Sequence, residues 1–400
     1  MKVLLADKLA DVAIRELQDH GHEVLSEPGV SGGQLIETVR REQPHVLVVR
    51  STKVSATLFE AASQLELVVR AGAGYDNIDM ESASGHGVFV SNCPGKNAAA
   101  VAELTMGLIL AMDRSIPDNV IDARKGRWNK AGYSRSAGVK GRTLGVIGLG
   151  NIGREVIRRA QAFDMNVVAW SRSPNEARAR ELGISAKSSP AEVAADADVV
   201  TFHVAATPET RHLADRAFFE AMKEGAHFVN TTRASVVDEE ALTWAVAERG
   251  IRAGVDVISN EPSAKEGDFE HPLASLPNVY ITHHIGASTK EAQNATAAEA
   301  ARVINVYAQT GRAPNCVNIA EQSPATYLLT VRHLDKVGVL AAVLDELRKA
   351  GWNVQEMENL IFEGARAACA RIRFNGEYDA SVIERIRSSD NVLAVSLISL

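Results

Sequence analysis

Along the first ninety positions, apolar residues come in short runs: "KVLLA", "VLVVR", "LELVVRA" and "GVFVSN". Between these runs they recur at helical spacing, as in "LADVAIRELQDHG" and "SATLFEAASQ". This alternation predicts a parallel sheet covered by helices on both faces. A second alternating series starts at "RTLGVIGLG" (142–150) and continues through "NVVAW", "ADVVTFHV", "AHFVNTT", "IRAGVDV" and "VYITHH". Between the two series a helical pattern over 97–124, interrupted by Pro117, is expected to carry the chain from one α/β unit to the next. After His284 the pattern turns helical over 288–311, and the segments "RAPNCVN" and "IAEQSP" lead into a last unit over 325–400. Its predicted order is strand, helix, strand, strand, helix, strand. The fold class is therefore α/β: two doubly wound parallel-sheet domains followed by a small βαββαβ module.

Composition narrows the partners. Hydrophobic residues make up 46% and charged residues 23% of the 400 residues, the proportions of a soluble globular protein. A net charge of −7 and a pI near 5.9 argue against nucleic acid, which demands a strong basic balance. The most apolar stretch, "AVAELTMGLILAM" (100–112), is broken by Glu103 and falls short of a membrane span. Cys93, Cys316 and Cys369 show neither metal-ligand nor disulfide spacing, so no metal site is expected and a reducing cytoplasm fits best. The opening "MKVLLADKLADVAIREL" reads as strand and helix and not as a cleaved signal.

"GVIGLGNIGREVI" sets Gly148, Gly150 and Gly153 in G-x-G-x-x-G spacing between an apolar strand and a helix. The first glycine permits a tight turn, the second lets backbone approach a pyrophosphate, and the third lets helix and strand pack closely. The helix N-terminus favours the negative charge, so the context predicts dinucleotide binding. The next strand normally ends in an acid that bonds the adenosine ribose, but "NVVAWSRSP" ends in Ser171 and Arg172. A small hydroxyl beside a cation removes the repulsion of a 2′-phosphate, which leaves both NAD and NADP open.

Three later strand ends carry Arg233 in "NTTRASVVDEEAL", Asp256 and Glu261 in "GVDVISNEP", and His283 and His284 in "ITHHIGAST". In an open α/β sheet the site lies beyond the carboxyl ends of the strands. An arginine to hold a carboxylate and polarise a carbonyl, a histidine to move a proton and a glutamate to orient it suit hydride transfer on a 2-oxo or 2-hydroxy acid.

The stretches "VVRSTKV", "VVRAGAGYDNID", "NAAAVAELTMGLIL", "RKGRWN", "GVIGLGNIGREV", "NTTRASVVDEEAL", "GVDVISNEP" and "THHIGASTKEAQ" follow one another in the order found in the D-isomer-specific 2-hydroxyacid dehydrogenase family. Residues 1–316 resemble that family, and most of all its branch acting on D-3-phosphoglycerate. The resemblance implies Rossmann and flavodoxin-like halves: a discontinuous substrate-binding domain over 1–96 and 287–316, and a dinucleotide-binding domain over 97–286. It implies Arg233 as substrate anchor, Glu261 as partner of the histidine and His284 as acid/base. His283 stands where the family usually has proline, and Ala234 where glycine is common. It also implies Asn151 and Ile152 near the pyrophosphate, Val204 and Thr231 along the cofactor, and Asp256 near the nicotinamide. Gly72, Ala73 and Gly74 resemble the backbone cradle for a substrate carboxylate. Arg50, Lys53 and Arg70 would then form a basic rim suited to a phosphate, although "VRSTKV" is one residue shorter than is usual there.

The tail resembles an ACT domain through "HLDKVGVLAAVLDEL" and "GWNVQEMEN", which implies an amino-acid effector, serine, near His333 and Asn353. The implied reaction is hydride transfer between NAD(P) and 3-phosphoglycerate or 3-phosphohydroxypyruvate in the direction of serine, by a homodimer or homotetramer. A glyoxylate or hydroxypyruvate reductase, and a dinucleotide-sensing corepressor-like protein, are the alternatives.

Overall fold

A computed structural model describes residues 1–172, 176–262, 266–320 and 322–400; Glu321 in the segment "IAEQSP" lies outside the described residues. Two units emerge, Met1–Asn318 and Ile319–Leu400. The first holds two parallel sheets. Strands β1 to β5 are Lys2–Leu5, Glu23–Ser26, Val46–Val49, Leu67–Arg70 and Phe89–Asn92, in the order β2-β1-β3-β4-β5. Strands β6 to β12 are Thr143–Ile147, Asn166–Trp170, Ser185–Ala186, Val199–Phe202, His227–Asn230, Arg252–Val255 and Val279–Ile281, in the order β12-β11-β10-β9-β6-β7-β8. Both orders reverse direction once, between β1 and β3 and between β6 and β9. A crevice at the carboxyl ends follows from each reversal, because the connections leave toward opposite faces there.

Burial explains the composition of the strands. The central strands β3 and β9 are buried along their whole length, which is why they read as unbroken apolar runs. On one face of the first sheet Val3, Leu5, Val46 and Leu67 pack with Ala297, Ala300, Val303 and Ile304. These last four lie on helix Lys290–Thr310, so the chain returns to the first sheet after completing the second. Thr289 caps that helix by accepting from the Ala292 amide, and Gly311 ends it with φ +68.

The helical bridge breaks earlier than Pro117 suggests. Helix Ala98–Arg114 stops at Ser115, whose φ of +48 is left-handed, and a new helix Ile116–Arg124 carries Pro117 in its first turn. Proline is tolerated there because its missing N–H has no intrahelical acceptor in the first turn. Ala102, Met106, Ile109 and Met112 of the first helix pack with Leu144, Val146 and Val229 of the second sheet. Among the described residues no helix is long and apolar enough to cross a membrane.

In the second unit β13 to β16 are Tyr327–Leu334, Asn353–Ile361, Ala367–Asn375 and Val392–Ser399. They form an antiparallel sheet in the order β14-β15-β13-β16. Helices Val339–Lys349 and Ala380–Arg387 contribute Val343, Leu347, Val382 and Ile386 to a core with Leu329, Val331, Ile372 and Phe374. This is the split βαββαβ arrangement.

Candidate active site

At the carboxyl end of β6 the three glycines meet different surroundings. A side chain on Gly148, at φ +107, would run into the His203 carbonyl, and one on Gly153 would run into the carbonyl of Gly148. Among the described residues nothing stands within 4 Å of the place a Gly150 side chain would take. Two glycines are therefore required by protein packing, and the third leaves its backbone open to an approaching group at the start of helix Asn151–Ala162. That openness is what a pyrophosphate needs, so the residues present fit a dinucleotide. Asn151 accepts from Arg154 at 2.8 Å and lies against Gly95 of the first sheet's last connection, while Ile152 packs at the edge of the core.

The neighbouring strand ends complete this edge. Ser171 is half-buried and Arg172 exposed at the end of β7, with the carboxylate of Glu209 near Arg172. Val204 follows β9 and closes over Gly148. Thr231, after β10, is buried, and its hydroxyl lies 3.2 Å from that of Thr105 on helix Ala98–Arg114. Asn230 shapes the next turn: its carboxamide oxygen accepts from the Thr232 amide at 3.0 Å, and its nitrogen donates to the Arg233 carbonyl at 3.0 Å.

Arg233 projects from that turn across Gly74 of the first sheet, where any side chain would collide with its guanidinium. Its Nε and Nη2 donate to Asp76 at 3.1–3.2 Å, and its Nη1 donates to the Thr232 carbonyl at 2.8 Å. Burial raises the Asp76 carboxyl, but the Arg233 hydrogen bonds and charge outweigh it, and the group lies below its ordinary value.

His284 and Glu261 form the second pair. Nδ1 of His284 lies 2.8 Å from Oε2 of Glu261, and the Glu261 Oε1 accepts from the Ile258 amide at 3.3 Å. Burial raises the Glu261 carboxyl, yet the hydrogen bond and charge of His284 more than compensate and hold it below the usual range. Backbone strain sits at the same residue, since His284 has φ +51. For a non-glycine residue such a conformation costs roughly 1–3 kcal/mol and persists only when the surroundings over-determine it. Asp256 does so. Its carbonyl accepts from the His284 amide at 2.9 Å, and its carboxylate accepts from the Thr282 hydroxyl at 2.6 Å, the Ile285 amide at 2.9 Å and the Gly286 amide at 2.8 Å. Both oxygens of the Asp256 carboxylate thus hold the histidine loop.

Comparison with known proteins bears on this geometry. Residues 106–286 match the model of the D-isomer specific 2-hydroxyacid dehydrogenase, NAD binding domain. A hydroxypyruvate reductase of Thermotoga maritima is 42% identical over 62% of this chain and 79% of its own. The chain belongs to the D-isomer specific 2-hydroxyacid dehydrogenase family. A D-3-phosphoglycerate dehydrogenase of Methanocaldococcus jannaschii is 39% identical over 80% of this chain, which spans 60% of that relative's length. Among solved structures, the NADPH-dependent glyoxylate/hydroxypyruvate reductase of Sinorhizobium meliloti, in complex with NADP and malonate, superposes with a TM-score of 0.67 at 28% identity, covering 79% of this chain and 96% of that one.

Against the family's pattern, the two departures are locally accommodated. Ala234 opens a right-handed 3-10 turn, Ala234–Val236, so its methyl group meets no left-handed strain. His283 is exposed and touches the edge of the Phe269 ring at 6.4 Å between centroids. On the substrate side Arg70 folds over Gly72, where a side chain would overlap its guanidinium. Burial, and then the charge of Arg233, push Arg70 down to about 10, still far above neutrality, and among the described residues its buried Nε has no partner. Ala73 offers its carbonyl to Asn92 at 2.7 Å. Arg50 lies close enough to Arg70 for their charges to interact. Lys53 is exposed, and its ammonium acts on Asp79, a carboxyl held down chiefly by the Ser82 amide and hydroxyl.

Asp7 carries no motif of its own in the sequence. Its carboxylate accepts the amides of Arg50, Ser51 and Thr52 at 2.6, 3.1 and 3.0 Å, and so sets the turn that carries Arg50. In the second unit His333 and Asn353 cannot share a site within one chain. His333 is 1% exposed, with Nδ1 on the Leu334 carbonyl at 2.8 Å and Nε2 on Asn359 at 3.2 Å. It pairs with Ala368, whereas Asn353 pairs with Asn375 seven positions along β15. At about 3.4 Å per residue the two lie roughly 24 Å apart along the strand.

Proposed function

We propose that this chain oxidises 3-phosphoglycerate to 3-phosphohydroxypyruvate, as a D-3-phosphoglycerate dehydrogenase. The observation that supports this reading is that Arg233 lies against Gly74 and Arg70 over Gly72, with Arg50 near Arg70, while Glu261, paired with His284, feels the charge of Arg233. Arg233 receives the substrate carboxylate and draws charge from the C2 oxygen. Glu261 accepts from Nδ1 of His284 and leaves Nε2 as the group that takes the C2 hydroxyl proton in oxidation and returns it in reduction. The resulting imidazolium is stabilised by the same carboxylate. The nicotinamide, when bound, supplies the other half of the chemistry by accepting the hydride from C2 or returning it.

Gly150, Asn151 and the helix behind them would hold the pyrophosphate, with Ser171 and Arg172 beside the ribose. The absence of a carboxylate at the end of β7 supports NADP alongside NAD. Arg70 and Arg50 supply charge for a phosphate beyond the carboxylate. The terminal unit is proposed as an ACT-like regulatory module responding to serine, and the protein as a cytoplasmic homo-oligomer, both on the family resemblance. The deciding experiment assays purified protein with 3-phosphoglycerate, glycerate, glyoxylate and hydroxypyruvate against NAD(H) and NADP(H). Preferential turnover of the phosphorylated acid is expected. A preference for glyoxylate or hydroxypyruvate would make the protein a reductase of the same family, and dinucleotide binding without turnover would make it a sensor.

A further inference from the structure

We propose that Asp76 is a positioning residue for the reaction: it grips the Nε–Nη2 edge of the Arg233 guanidinium so that the adjoining Nη1–Nη2 edge faces the substrate carboxylate. The inference rests on the hydroxyacid dehydrogenase reading above and adds to it a group that the sequence did not single out.

A guanidinium has five N–H bonds in a rigid plane. Asp76 takes the Nε–H and one hydrogen of Nη2, the side-on edge, and the Thr232 carbonyl takes one hydrogen of Nη1. Among the described residues one N–H on each terminal nitrogen is left. A carboxylate meets such a pair of donors with two parallel bonds, the geometry in which arginine binds an acid most strongly. Without Asp76 the plane would be held by the Thr232 carbonyl alone and could turn about its long side chain.

The surroundings leave little freedom for another arrangement. Gly74 lies directly beneath Nη2, and Arg70 bears a second positive charge that acts on Arg233 and Asp76 alike. Repulsion between the two guanidiniums would push Arg233 away from the cradle, and the Asp76 carboxylate offsets it. The pair also spans the molecule: Asp76 follows β4 of the first sheet and Arg233 follows β10 of the second. The substrate anchor is thus tied to the sheet that bears the cradle.

Asp76 carries a negative charge beside the place an anionic substrate takes. Its removal must therefore have two opposed effects: orientation is lost, but repulsion of the substrate is lost too. A merely structural residue gives no such split, because damage to the cleft weakens binding and turnover together. For Asp76→Asn, kcat should fall by roughly 10²-fold, the scale associated with a misplaced reacting geometry. Substrate affinity, measured as KM and as direct binding by calorimetry, should stay the same or tighten. Asp76→Glu should recover part of kcat.

The experiment combines these kinetics with nitrogen-15 NMR of the Arg233 Nε–H in the full-length protein, assigned through Arg233→Lys. In the parent protein that N–H should exchange slowly with solvent, and in Asp76→Asn quickly. Unchanged kcat in Asp76→Asn, or KM rising in step with the loss of kcat, overturns the proposal. Should the parent protein turn over no hydroxy acid, the dehydrogenase reading fails by itself. The Nε–H then decides the positioning claim: slow exchange that depends on Asp76 supports it, and exchange indifferent to Asp76 sinks it.

Discussion

The carboxyl edge of the second sheet is marked by missing side chains, at Gly148, Gly150 and Gly153, whereas that of the first sheet is marked by charge, at Arg50 and Arg70. The first arrangement is local and backbone-determined, settled within six residues of one strand–helix turn. The second depends on distant carboxylates: Asp7 holds the turn of Arg50, and Asp76 balances the Arg70 and Arg233 pair. A dinucleotide presents the same pyrophosphate to every member of a family, so steric emptiness suffices for it. Substrates differ in charge, and cations held by placed anions can discriminate among them.

The largest departure should come where the two edges meet. His284→Ala should lower turnover by at least roughly 10²–10⁴-fold, the range for general acid–base catalysis. His283→Pro should be mild, since the contact of the exposed His283 ring is with the edge of Phe269. Steady-state rates at saturating substrate and cofactor check both, and a dead His283→Ala with an active His284→Ala would place the acid/base on the wrong residue.

Gly153→Val breaks the cofactor edge by steric means. Its side chain must displace the Gly148 carbonyl, and overpacking of this kind costs about 1–3 kcal/mol. Thermal unfolding should shift down, and dinucleotide affinity should fall in calorimetry. Ser171→Asp acts on the same edge more gently. By restoring a ribose acceptor and repelling a 2′-phosphate it should move the kcat/KM ratio towards NAD, and an unchanged ratio would show that residue 171 does not reach the ribose.

The smallest effect concerns the fold behind the substrate edge. Glu299, on helix Lys290–Thr310, is held down to about 2, chiefly by the Arg302 hydrogen bond, which with that of Asn315 outweighs burial. Its folded pKa lies below the ordinary value of 4.5, so its stabilisation is complete above about pH 4.5 and is lost as pH falls towards 2. Acid unfolding of Glu299→Gln should be less steep across that window than that of the parent. Equal slopes would contradict the assignment.

How much of this was legible in the sequence follows the same division. The glycine spacing is local, and Arg233, Glu261 and His284 sit in local blocks, so a linear reading reached them. Asp7 and Asp76 reach across 43 and 157 positions to their partners, and no periodicity connects residues so far apart. The alternation of the tail revealed its strands but not their register. His333 and Asn353, both named from the sequence as places for an effector, stand at opposite ends of the sheet. Pro117 marked the broken bridge correctly to within two residues, but the break belongs to left-handed Ser115.

The central claim is that charge at the first sheet reads a phosphate while backbone at the second holds the cofactor. It is tested most directly by the ratio of kcat/KM for 3-phosphoglycerate to that for glycerate, in the parent and in Arg70→Ala, with the dinucleotide Kd measured alongside. The account predicts a ratio well above one in the parent that collapses in Arg70→Ala, because only the phosphorylated acid loses a charge-assisted contact, with the dinucleotide Kd unchanged. Equal losses for both acids, or a ratio that survives the substitution, would contradict it.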